Sequence, residues 1–285
     1  MNKVRVIPRI DIKGPNLVKG IHLEGLRVIG KPENFARFYY ENGADELFFQ
    51  DAVASLYERN SLSDIISKTA KEIFIPLTVG GGLRTIEDIK NVLRAGADKV
   101  SINTAALKNP DFIKQAALTF GSSTIVVAIE AIKQSDGKYL AYMDNGREES
   151  GIEVLQWAQR VEELGAGEIV ITSVDREGTG EGYDLELTKM VSKAVSIPVI
   201  AHGGCANPED ATKAVTEGAA DAVAVASILH YDALAKKIEG QEDFASEGNV
   251  SFKDSGRTFQ KIKPSTIEEI KAKMNDSGIA VRLLK

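Results

Sequence analysis

Asp11, Asp51 and Glu130 each close a short run of apolar, β-branched residues, and Asp175 follows another such run inside Asp-Arg-Glu-Gly-Thr-Gly. A carboxyl group at a strand end is held on a rigid support. Two that flank one substrate can divide into an acid and a base if their surroundings separate their proton affinities. Asp11 and Glu130 fit this best, because they end two related stretches, Ile-Pro-Arg-Ile-Asp and Val-Val-Ala-Ile-Glu. For Asp51 and Asp175, helix capping or pairing with a lysine such as Lys13 or Lys19 accounts for the acid equally well.

Glycines mark a second chemistry. Gly80, Gly81 and Gly82 follow one apolar run, and Gly203 and Gly204 follow another. Glycine lets backbone N–H groups approach an anion closely. One unit later come Asn103-Thr104 and Ala226-Ser227, which place a hydroxyl group where a short helix would start. A lone Gly-Gly is usually a tight turn. Two related copies, each with a hydroxyl partner, favour phosphate, and two such sites on one face suit a substrate with a phosphate at each end.

The elements that must position these residues alternate. Strand runs are expected at 4–10, 46–50, 75–79, 99–102, 124–129, 168–172, 198–201 and 222–225. Helical patterns fill 32–42, 62–72, 85–95, 110–118, 151–164, 185–194 and 208–217. Continuous apolar strands, each followed by a helix, predict parallel crossovers, and eight units predict a closed (β/α)8 barrel. The chain also repeats itself. IPLTVGGGLRTIEDIKNVLRAGADKVSINTA from Ile75 resembles IPVIAHGGCANPEDATKAVTEGAADAVAVAS from Ile197, at an offset of 122 residues. ENGADELFF from Glu41 and ELGAGEIVI from Glu163 share that offset. The pattern predicts one half-barrel used twice; the period is too long for a solenoid.

Length and composition agree with one such barrel over 1–285: 285 residues, 43% hydrophobic and 27% charged. A net charge of −6 argues against general nucleic-acid binding. The single cysteine, Cys205, excludes an intramolecular disulfide and a cysteine-rich zinc site. His22, His202 and His230 lack ligand spacing, so no metal is expected. No apolar run reaches membrane-spanning length and the start reads as no signal peptide, so the expected location is the cytoplasm.

Arg5, Glu46, Lys99 and Glu168 fall at the amino ends of four of the expected strands. Two cations and two anions there could form a ring across the barrel floor. Physical chemistry alone reads the ring as a polar plug.

These stretches together resemble a known family. From about residue 4 to 231, and again from about 266 to 284, the chain is similar to the cyclase subunit of imidazole glycerol phosphate synthase. The matching segments are IPLTVGGGLRT, GADKVSINTAA, GAGEI with TSVDREGT, and GYDLELT. The resemblance implies a cofactor-free barrel of histidine biosynthesis that receives ammonia from a glutaminase subunit. With it the enzyme splits and cyclises a bis-phosphorylated aminoimidazole ribonucleotide to imidazole glycerol phosphate and aminoimidazole carboxamide ribotide. It implies that Asp11 and Glu130 are catalytic. Gly82, Asn103 and Thr104, beside Gly81, would hold one phosphate. Gly178, Gly203, Ala226 and Ser227, with Gly204, would hold the other. Beside the residues the resemblance carries over, Lys19, Asp51, Asp175 and His202 are read as further residues of the substrate site. The quartet becomes a gate beneath an ammonia channel, with the glutaminase docked near Asp98.

The chain departs from the family pattern in five places. Glu130 replaces an aspartate. Arg9 replaces a small cysteine; strand alternation turns it inward with Arg5, Ile7 and Asp11, where it needs Asp11 or Glu130 as a partner and narrows the ammonia path. His202 replaces a small hydroxyl residue and, once protonated, would strengthen phosphate binding. Cys205-Ala206 interrupts the run of small residues after the second glycine pair. The segment 238–264 is an extra polar insertion before the last helix, 266–275, and its Phe244, Phe252 and Phe259 read as solvated rather than docked. Three functions remain open. One is the histidine-pathway cyclase. The second is a paralogue delivering ammonia to a different electrophile, such as a sugar to be amidinated. The third is a non-catalytic barrel that activates a glutaminase or amidotransferase.

Overall fold

A computed structural model describes residues 3–54, 62–236, 238 and 261–284. Twelve strands run through them: β1 Arg5–Lys13, β2 Asn16–Ile21, β3 Glu24–Gly30, β4 Leu47–Asp51, β5 Leu77–Gly80, β6 Lys99–Ile102, β7 Ile125–Lys133, β8 Tyr139–Met143, β9 Glu148–Glu153, β10 Glu168–Ser173, β11 Val199–His202 and β12 Ala222–Val225. Eight of them close a parallel barrel in the order β1, β4, β5, β6, β7, β10, β11, β12, returning to β1. The expected (β/α)8 barrel is therefore present, and all eight expected strands lie in its wall.

Helices cover the barrel because their patterning buries one face, and among the described residues four of them open with a side-chain cap, from Thr85, Asp184, Asn207 and Thr266. Helix Ile86–Ala95 opens with a capping box between Thr85 and Asp88 and ends at Gly96, whose φ of 121° no side chain adopts easily. Its repeat partner, Pro208–Thr216, opens with proline in its first turn, and Asn207 accepts from the N–H groups of Glu209 and Asp210. The helix expected at 151–164 begins only at Val154, because residues 151–153 belong to β9.

The half-barrel repeat is deeper than the sequence alone suggested. β1 and β7 are each 9 residues long, and each runs on into an antiparallel hairpin, β2–β3 after β1 and β8–β9 after β7. The hairpins lie above the carboxyl-terminal mouth, and their tips meet: Asn145 Nδ2 donates to Leu23 O at 2.9 Å. At the other end one pinning device recurs. Asp45, Asp98 and Asp221 accept the N–H groups that start neighbouring strands, at Val6, Leu77 and Val199, over 2.8–2.9 Å.

The large core lies between barrel and helices. A separate inner column of Ile7, Phe48, Val126, Val170, Ile200, Ala222 and Ala224 fills the middle of the barrel. Most of the expected insertion 238–264, including Phe244, Phe252 and Phe259, lies outside the described residues. Its last residues rejoin the barrel, where Lys263 N donates to Ala206 O and buried Ile262 packs into the core. Among the described residues no helix is long and apolar enough to cross a membrane.

Candidate functional site at the barrel mouth

The two glycine turns are conformational copies. Gly81 and Gly82 have φ of 105° and 70°, and Gly203 and Gly204 have 99° and 97°. At Gly81 an added Cβ would meet Asp51 O at 2.6 Å, and at Gly203 it would meet Ser173 O at 2.7 Å. The strands one unit on end alike as well. Asn103 caps the helix Thr104–Lys108 at φ −131°, ψ −84°, and Ala226 caps Ser227–Ala235 at φ −122°, ψ −80°. In both copies the helix start lines one cleft with the glycine turn of the neighbouring strand.

The clefts differ in size. The first is a cavity of about 290 Å³ lined by Asp51, Gly81, Gly82, Ser101, Asn103, Thr104 and Glu130, among others. The second, lined by Gly178, His202, Gly203, Gly204, Ala226 and Ser227, has room for about 10 Å³. Within the first, Ser101 Oγ and Asn103 Oδ1 are buried without a hydrogen-bond partner among the described residues. Thr104 Oγ1 accepts the Asp144 N–H at 3.0 Å, which ties this cleft to the second hairpin.

Glu130 and Asp11 are both buried at the base of the mouth. Gly146 N donates to Glu130 Oε2 at 2.8 Å from the β8–β9 turn, where Asp144, Asn145 and Gly146 all have positive φ. Burial is the main force on this carboxyl; Arg9 and the Gly146 bond oppose it while Asp11 and Asp144 add to it, and the net effect raises it to about 7. Asp11 lines neither cleft. Its Oδ1 accepts Arg9 Nε at 2.9 Å, so Asp11 is the expected partner that the inward arginine takes.

Arg9 also lies 3.2 Å from His202 Nδ1, and its guanidinium sits 5.6 Å from the centre of the Phe48 ring. This corrects the expectation for His202. Burial, then Arg9 and Lys19, hold it well below the usual histidine range. An arginine can only donate, so Nδ1 accepts, and the ring serves as a neutral link rather than a cationic phosphate ligand. Cys205 is inert as well, since burial pushes its thiol up to about 12.

Of the remaining expected residues, Asp51 lines the first cleft and accepts Val53 N at 3.0 Å. Asp175 is exposed, and its carboxylate accepts Lys133 N at 2.8 Å. The buried acid of that loop is Glu177, which pairs with Lys19 at 2.5 Å and accepts Leu23 N at 3.1 Å. Sequence reasoning missed Glu177, Ser101 and Asp144. Asp144-Asn145-Gly146 is a hairpin signal in plain view, but nothing local says that its turn reaches Glu130.

At the amino-terminal end the quartet forms a closed ring. Arg5 bonds Glu46 at 2.6 Å and Glu168 at 3.0 Å, and Lys99 bonds them at 3.1 and 3.2 Å. Thr78 Oγ1 also donates to Glu46, at 2.6 Å. The ring is thus fully paired, with Glu46 buried and the cations partly wet.

A closed parallel barrel built twice from one half, with paired glycine-turn clefts and buried carboxyls at its carboxyl-terminal mouth, defines a half-barrel-repeat (β/α)8 protein. Residues 5–235 match the family described as histidine biosynthesis protein, and the chain belongs to that family. It is 56% identical over 210 residues to a Legionella pneumophila protein, "Imidazole glycerol phosphate synthase subunit HisF", covering 74% of this chain and 99% of that one. It is 50% identical to the Alkaliphilus metalliredigens protein of that name, over 80% of this chain and 90% of the relative. The Methanocaldococcus jannaschii protein of the same name is 45% identical over 98% of both.

Proposed function

We propose that this chain catalyses the cyclase reaction of an imidazole glycerol phosphate synthase. It uses ammonia to split and cyclise a bis-phosphorylated aminoimidazole ribonucleotide. The observation that carries the reading is the pair of equivalent glycine-turn clefts at one mouth, with Glu130 and Asp11 at its base. Such a mouth fixes a substrate by both phosphate ends and brings its middle over the carboxyls. A carboxyl at about 7 is partly protonated at neutral pH and able to give a proton to a leaving nitrogen or oxygen. Asp11, already paired with a cation, suits the complementary role of base.

Ammonia reaches the mouth from a glutaminase subunit docked on the amino-terminal face. The quartet ring is its entry, and the apolar inner column keeps it neutral on the way. Asp98 lies exposed on that face, although it shares its pinning role with Asp45 and Asp221. Turnover of the bis-phosphate with ammonium salt tests the reaction. No product at saturating ammonium and substrate would reject it.

One observation favours the second reading, ammonia delivery to a different electrophile. Arg9, His202 and Thr172 make a polar layer beneath the mouth, with Arg9 Nη1 3.5 Å from Thr172 Oγ1. A barrel that carries glutamine-derived ammonia but leaves the bis-phosphate untouched would decide for it.

A further inference from the structure

Arg9 is buried to 3% exposure inside the barrel, in a polar layer that caps the apolar inner column. A buried guanidinium persists only where its donors are met and its charge is answered. Here Nε donates to Asp11 Oδ1 at 2.9 Å. Nη1 reaches His202 Nδ1 at 3.2 Å and Thr172 Oγ1 at 3.5 Å. The flat face covers Phe48. Its partners come from β1, β4, β10 and β11, so the side chain crosses the lumen and cannot turn without losing several contacts at once. Asp11, Thr172 and His202 lie at or just beneath the mouth, and Phe48 tops the apolar column below.

We propose that Arg9 is a positioning residue of the active site: it fixes the Asp11 carboxylate in one orientation by pairing with it directly, while it acts on the buried Glu130 only through space, so that Asp11 is held as the base and Glu130 is left as the acid. The proposal rests on the cyclase reading for its chemistry, but not for its electrostatics. An arginine stays charged throughout the accessible pH range, so the arrangement does not depend on the state of a neighbour. His202, neutral in its buried place, aims the guanidinium without competing with its charge. The groups that bear on Glu130 are Arg9 and Asp11 from β1, Asp144 and the Gly146 N–H from the β8–β9 turn, and its own burial; of these Arg9 is the one cation. Removing it therefore leaves Glu130 with a higher proton affinity, because the carboxylate form loses the attraction of Arg9 while the repulsion from Asp11 and Asp144 remains.

The test compares Arg9→Met, which keeps length and packing, with Arg9→Lys, which keeps the charge. Two readouts are taken. The first is the pH dependence of ammonia-driven turnover of the bis-phosphate. The second is the carbon-13 carboxyl titration of Glu130 in the free protein, assigned by its loss in Glu130→Gln. In Arg9→Met the Glu130 titration moves upward by about 1 unit or more, and turnover falls by roughly 10- to 100-fold with little change in KM. Arg9→Lys restores most of both. If Arg9→Met does not fold, Arg9→Gln, which keeps two hydrogen-bonding groups without charge, takes its place. A Glu130 titration that is the same in the folded neutral variant as in the unaltered protein overturns the proposal, whatever the activity. Absence of turnover by the unaltered protein counts against the cyclase reading alone and leaves the titration to decide on Arg9.

Discussion

The Gly146 N–H donates to Glu130 Oε2 at 2.8 Å, which joins the tip of the second hairpin to a carboxyl on the barrel wall. Glu130 carries one methylene more than an aspartate would, and that length is what meets this turn. Folded, the group is raised from 4.5 to about 7, so the native state binds its proton more tightly than the unfolded chain does. Its contribution to stability is complete below about 4.5 and is lost as pH rises through about 7. The shift corresponds to a loss on the order of 3 kcal/mol. Glu130→Gln removes it, so urea unfolding at pH 5 and pH 8 will show a smaller fall in stability for the variant than for the unaltered protein. Parallel falls would mean that Glu130 ionises in the fold without penalty.

Asp11→Asn keeps the shape of the side chain but removes its charge, and so its bond with Arg9 at 2.9 Å weakens. Ammonia-dependent turnover is expected to fall by roughly 10²-fold or more, as for loss of a general acid or base. Full turnover by the Asn variant would remove Asp11 from the chemistry.

The parts of this site that could be read from sequence are those written twice in it. Gly81 with Thr104 and Gly203 with Ser227 recur at a near-constant offset, so each copy vouched for the other. The eight wall strands are runs of mostly apolar, β-branched residues buried on both faces, and announce themselves. The hairpins β2–β3 and β8–β9 do not, because Glu24–Gly30 and Glu148–Glu153 mix exposed and half-buried positions and lack the apolar alternation of a half-buried strand. Glu177 was hidden by its neighbour. Asp175 and Glu177 share one loop, and only the fold decides which of them turns inward to Lys19. The state of His202 was not legible because it depends first on its burial and then on Arg9, 193 positions away in sequence.

His202 yields a reversed expectation. Lying well below the usual histidine range, it stays neutral from mildly acidic to alkaline pH. Inorganic phosphate should therefore bind the second cleft no more tightly on acidification from pH 8 to 6, once the ion's own protonation is allowed for. A calorimetric titration at both values measures this. Affinity that rises on acidification and becomes flat in His202→Gln would restore the cationic role.

Gly81→Ala and Gly203→Ala test the equivalence of the clefts. Each places a Cβ at a φ near 100°, and 2.6–2.7 Å from a carbonyl oxygen of the preceding strand end. The backbone penalty alone is about 1–2 kcal/mol, and the clash adds to it. Both variants should melt several degrees lower and lose phosphate binding at their own cleft while keeping the other. Loss at both clefts from one substitution would show that the two halves do not act separately.

The quartet ring gives the last test. Lys99 bonds Glu46 at 3.1 Å and Glu168 at 3.2 Å, and its side chain is 17% exposed. Removing it leaves Arg5 to serve both carboxylates, and Glu46 keeps the Thr78 hydroxyl at 2.6 Å. The cost to stability is therefore well under the roughly 3–5 kcal/mol of breaking a fully buried pair. Lys99→Met will keep ammonia-dependent turnover, because the mouth lies at the other end of the barrel beyond the apolar column. It will change the ratio of glutamate formed to product formed when glutamine is the source, because ammonia released on the amino-terminal face then meets an altered entrance. The measurement needs the glutaminase bound, so co-purification at micromolar concentration comes first. A ratio that stays at one in Lys99→Met, or no complex at all, leaves the ring as a polar floor that closes the barrel and nothing more.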